Sequence, residues 1–161
     1  MDNETLNERL LGWMKTRGPD DWHRVVSTYN WDNGMRPLLW IARQPQLDRA
    51  TAHTMFWLTS PEWFLLGKLY RDGGRDPWEA GERELCVTLF DRVRSGSIPE
   101  GAFSTDHRDF VTAERWESYA LFKGADPAEF RLPDWMHHEI AGRVVDLSGM
   151  DEGYPTAFFE N

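Results

Sequence analysis

The chain is almost devoid of cysteine. Cys86 is the only one among 161 residues, so no intrachain disulfide can form, and a zinc site would have to take its other ligands from His or carboxylate. No stretch approaches the roughly 18 consecutive apolar residues of a membrane span. The opening segment, Met1 to Arg17, carries Asp2, Glu4 and Glu8 and lacks the apolar run of a signal peptide. Positive charge is also short. Eighteen Lys and Arg face 27 Asp and Glu, a net charge of −9, whereas nucleic acid and anionic membranes call for a basic face. The acidity suits solubility and equally suits a basic protein partner. Catalytic signatures are missing as well. There is no H-E-x-x-H and no G-x-S-x-G, and Gly73-Gly74 lacks the Lys-Ser/Thr pair of a phosphate loop. The resulting expectation is a cytoplasmic protein without cofactor or metal.

Aromatic residues, by contrast, are plentiful. Nine Trp and nine Phe occur in a chain that is 40% apolar and 28% charged, a globular balance for a single domain over residues 1–161. Each aromatic can bury about 150–250 Å², so most are expected in the core and a minority on a binding surface.

Apolar spacing of the helical kind recurs along the chain. Leu6, Leu10 and Trp13 share a stripe that ends before Gly18-Pro19. Pro19 then suits the first position of a second helix, with Trp22, Val25, Val26 and Tyr29 on one face. The turn-forming run Asn30 to Gly34 follows. Met35, Leu38, Leu39 and Ala42 mark a third helix, stopped at Gln44-Pro45. Asp48 suits the N-cap of a fourth, with Ala52, Met55 and Phe56 inward. Ser60-Pro61 predicts a further helix through Leu69, and Asp76-Pro77-Trp78-Glu79 a capping box for a longer one that Gly96 ends. Helices are also expected over about Asp106 to Lys123, after the capping-box pattern Asp126 to Glu129, and from Pro133 through Ile140. The tail from Arg143 to Asn161 reads as a short strand or an extended arm. The fold expected is all-α, a packed array of αα-hairpins.

One segment carries a recognisable string. Tyr29-Asn30-Trp31-Asp32-Asn33-Gly34 is followed by Leu39-Trp40-Ile41, Gln44-Pro45-Gln46-Leu47-Asp48, Thr51-Ala52 and Phe56-Trp57. Over residues 29–70 this resembles DUF4274, a group of bacterial proteins of unassigned function. The resemblance implies a helical domain and supplies no reaction, cofactor or ligand. The family pattern has a His before the matching proline and a Cys before the matching aspartate, where this chain has Gln44 and Leu47. A metal site or catalytic pair at those two positions is therefore not expected.

The remaining candidates each have a plain structural explanation. His137-His138-Glu139 suggests metal ligation, but adjacent helical side chains diverge by about 100°. The acids of Asp106-His107-Arg108-Asp109 suit a helix start. Cys86 lies on an apolar stripe near Glu82 and Glu84, which disfavours a reactive thiolate. His53, one turn before Trp57, could act as a base or be a core histidine. With no catalytic constellation, the leading expectation is a non-enzymatic interaction protein that binds a basic partner through an acidic, aromatic-bearing face. Its narrowest form is an immunity protein neutralising an antibacterial toxin. The alternatives are a small-ligand binder or enzyme with a pocket lined by Trp31, Asp32, Asp48, His53 and Trp57, and a structural subunit of a homo-oligomer. The sequence leaves the oligomeric state open. Among the tryptophans, Trp22 and Trp116 fall on core stripes, and Trp31, in its loop, is the one expected to meet something outside the protein.

Overall fold

Asp2 begins the first helix by accepting a hydrogen bond from the Thr5 amide at 2.8 Å, and α1 runs Asn3–Met14 with Leu6, Leu10, Leu11 and Met14 buried. The computed structural model describes residues 1–67, 79–105 and 109–160. Pro19 opens α2 (Pro19–Thr28), which buries Trp22, Val25 and Val26. A 3-10 turn at Trp31–Asn33 leads to α3 (Arg36–Ala42). Asp48 caps α4 (Arg49–Leu58), in which every residue from Ala50 to Trp57 is buried. A helix enclosed on all sides is a central one, and α2 packs along it. A single π turn, Glu62–Leu66, follows. The long helix α5 (Ala80–Ser95) buries Leu85, Cys86, Leu89 and Val93. It stops at Gly96, whose φ of 71° is left-handed and costs glycine little. Finally α6 (Ala113–Phe122) starts from a Thr112 hydroxyl cap.

The described residues are thus mostly helical, with a main core from Leu6 in α1 to Tyr154 in the tail and a small second cluster of Ala50, Phe103 and Val145. Packing runs chiefly between alternate helices, α1 on α3, α2 on α4 and α3 on α5, with α4 also against α5. No helix among the described residues is long and apolar enough to cross a membrane.

Several expected elements come out shorter. Of the helix expected through Leu69, the described part is a π turn ending at Leu66, followed by Gly67 in an extended conformation, and Leu69 lies outside the described residues. Ser60, the expected cap, has left-handed backbone (φ 55°). The helix expected from about residue 106 begins at Ala113. The pattern at Asp126–Glu129 makes only turns, and the segment after Pro133 only a 3-10 turn, Asp134–His137. Capping-box chemistry supplies a start signal, but a nucleus of one turn is unfavourable without an apolar face to propagate it. The expected loop at Arg71–Arg75, the cap residues Asp76-Pro77-Trp78 and the trio Asp106-His107-Arg108 lie outside the described residues.

The tail is an arm with a two-residue hairpin. Strand β1 (Met150–Asp151) pairs antiparallel with β2 (Tyr154–Pro155). Arg143 forms an isolated parallel bridge to Phe103. Gly153 sits at φ 89°, where a Cβ would collide with the Tyr29 ring, so the turn requires glycine. The arm is clasped by a buried polar knot. Asn7 Oδ1 accepts from the Tyr154 hydroxyl at 2.6 Å and from Tyr29 at 3.3 Å, while Asn7 Nδ2 donates to the Asn33 carbonyl at 2.7 Å. Burial, together with the neighbouring Tyr154, pushes the Tyr29 phenol well above its ordinary range and keeps it a donor. Removing one hydroxyl tests the clasp. Tyr154→Phe is expected to cost about 1 kcal/mol and, at this chain length, to lower Tm by roughly 2–4 °C, read by calorimetry.

Candidate functional site

The five residues singled out from the sequence do not converge on one cleft. Asp48 is a structural clamp. One oxygen accepts from the Ala50 amide at 2.8 Å, and the other accepts from Ala102 at 2.8 Å and Phe103 at 3.4 Å. Gly101 is needed beside it, because a Cβ there would run into the carboxylate. His53 is fully buried on α4, with its ring 6.4 Å from Trp57 and 6.0 Å from Phe110. Trp57 is buried too, and its indole N–H donates to the Met136 carbonyl at 2.9 Å. Trp31 is half-buried against the core. Of the five, only Asp32 is exposed.

Asp32 belongs to an acidic surface. Burial raises the Glu82 carboxyl above the ordinary range, and the nearby charges of Glu79 and Asp32 raise it further. Glu79 and Glu82 line a groove with Glu62, Thr59, Ser60 and Trp63. Trp63 is 51% exposed, against 3–7% for Trp22, Trp57 and Trp116. The π turn explains why Trp63 does not stand out in the sequence. One extra residue per turn shifts the facing by about one position, so Phe64, Leu65 and Leu66 turn inward and Trp63 turns out.

A second concavity lies one layer outside the His53–Trp57 contact. Trp57 meets Trp116 edge-on at 5.6 Å and His137 at 6.1 Å. Trp116 and His137 in turn line a cleft of about 210 Å³ with Leu132, Glu117, Asp134 and Arg131. His137 is 5% exposed, and its Nδ1–H donates to the Val111 carbonyl at 2.8 Å. His138 points elsewhere, exposed and 3.4 Å from Asp134. The two adjacent histidines therefore do not share a ligand, and no group of three His, Cys, Asp or Glu side chains among the described residues is arranged to hold a metal ion. Cys86 is fully buried, and burial pushes its thiol up to about 12, which leaves it a packing residue.

Comparison with known proteins agrees with the motif string. Residues 17–71 match the family model DUF4274, a domain of unknown function. That segment covers α2, the Trp31 turn, α3, α4 and the π turn with Trp63. No curated protein matches the chain. No solved structure matches it either.

Proposed function

We propose that this protein is a non-enzymatic binding protein for a basic protein partner, docked at the groove between the π turn and the start of α5. The observation that carries this reading is the groove itself, in which the carboxylates of Glu62, Glu79 and Glu82 stand beside the half-exposed Trp63. Carboxylates gathered on one surface steer a cationic partner towards it. An exposed Trp beside them supplies the type of anchor found at interface hot spots. An immunity protein against a basic toxin is the narrowest form of this reading. His53, the best candidate for a base, is enclosed in the core, and Cys86 is held as a neutral thiol, so neither favours an enzymatic alternative.

The test uses the products of the genes neighbouring its own, taken as purified candidate partners in biosensor titrations. The expected result is a basic partner that binds the wild-type protein, with Glu82→Lys lowering the association rate and its salt dependence, and Trp63→Ala raising dissociation at least tenfold. Glu82→Gln should fold at least as well as the wild type. Its raised carboxyl means that ionisation at neutral pH opposes folding, and the amide removes that cost. If no basic neighbour binds, or if both substitutions leave binding unchanged, the reading is wrong.

A further inference from the structure

The cleft beside His137 has chemistry that none of the preceding roles uses. Its floor is apolar, with Trp116 3% exposed and Leu132 6% exposed. His137 is more than nine-tenths buried, and its orientation is fixed because a carbonyl oxygen can only accept. Nδ1 must therefore carry the proton given to Val111, and His137, so fixed, forms part of the cleft lining. At the mouth stand two carboxylates, Glu117 and Asp134, against one cation, Arg131. Asp134 is 89% exposed at its side chain and lies 3.4 Å from His138.

Size decides the class of occupant. Small-molecule sites usually measure about 300–1,000 Å³, and this cleft, at about 210 Å³, is smaller. It suits a single side chain. The occupant must bring positive charge for Glu117 and Asp134 and a weakly hydrated group that can lie against the apolar floor. A guanidinium meets both requirements. It is planar, stacks on aromatic rings and presents several donors in a fixed fork, whereas an ammonium is a compact, strongly hydrated point charge.

We propose that this cleft seats one arginine side chain of the basic partner. The inference rests on the reading of the chain as a binder of basic proteins, but it concerns a different surface from the Trp63 groove, so the two can fail separately. The probe is N-acetyl-arginine methylamide, titrated into the full chain while the Trp116 indole N–H and the His137 ring are followed by NMR. N-acetyl-citrulline methylamide, the neutral isostere, and N-acetyl-lysine methylamide serve as controls. Saturable shifts at Trp116 and His137 are expected with arginine, with at least tenfold weaker binding of citrulline and weaker binding of lysine. Glu117→Lys, an exposed substitution, should weaken arginine at least tenfold with no loss of fold. His137→Gln should weaken it several-fold. The inference is overturned if citrulline titrates like arginine, if the shifts fall elsewhere, or if Glu117→Lys changes nothing. A partner that depends on Trp63 but not on Glu117 would overturn the cleft inference alone. An arginine that binds here while no basic partner exists would overturn the function alone.

Discussion

Asp48→Ala is expected to lower the unfolding free energy by about 4 kcal/mol. The loss of an N-cap accounts for about 1 kcal/mol of this. The larger part comes from the second oxygen, which accepts from the amides of Ala102 and Phe103. Hydrogen bonds to a charged group contribute about 1.5–3 kcal/mol each, and the 3.4 Å contact to Phe103 belongs at the weak end or below it. For a chain of this length the result is a Tm lower by roughly 8–16 °C, measured by urea and thermal unfolding. Asp48→Asn separates the two jobs. Its single carbonyl oxygen can cap α4 or hold residues 101–103, but not both, and its NH2 then faces an amide donor. It should lose more than half of what alanine loses. Native-state hydrogen exchange gives a local readout, since the Ala102 amide should exchange faster in either variant. A loss below about 1 kcal/mol in Asp48→Ala would show that the clamp is not needed.

Half of that clamp was legible in the sequence. Asp48 follows a Pro-containing break and precedes an apolar stripe, so its cap to Ala50 could be read from neighbouring residues. Its grip on Ala102 spans 54 positions and leaves no local trace. The same distinction runs through the rest of the fold. Pro19, Gly96 and the stripes of α1 to α5 are signals that act within one or two turns, and those helices appear where the pattern puts them. The segment after Pro133 has a start signal but no apolar face long enough to carry a helix, and tertiary contacts decide it: Met136 is enclosed, and His137 is tied to Val111. The π turn misleads because Ser60-Pro61 reads as the start of an ordinary helix, whereas the extra residue in the turn brings Phe64 to Leu66 inward and leaves Trp63 outward.

The candidate sites divide along the same line. His53 and Trp57 stood out because an aromatic and an imidazole four positions apart share a helix face, and they do touch. The cleft they back onto is built from Trp116 and His137, which lie 59 and 80 positions beyond Trp57 and carry no sequence mark of its presence. Asp32 is expected from the sequence in a pocket with His53. The structure places it instead near Glu82, fifty residues on, where it acts through charge.

Trp57→Ala is the second substitution with a large expected effect, because Trp57 joins the core to the cleft. Its ring contacts Phe56, Trp116 and His137, and its N–H holds the Met136 carbonyl in the turn that carries His137. Truncating a buried aromatic costs about 3–5 kcal/mol, which at this size lowers Tm by roughly 6–20 °C. Trp57→Phe distinguishes packing from pinning. It keeps most of the apolar ring but leaves the Met136 carbonyl without its donor, at about 1–2 kcal/mol, and the variant should remain folded. Because the lost bond anchors the Asp134–His137 turn, Trp57→Phe is also expected to weaken N-acetyl-arginine methylamide several-fold, although the residue is buried behind the cleft. If Trp57→Phe loses stability but binds arginine as the wild type does, the turn is held by the Val111 contact alone, and the core does not position the cleft.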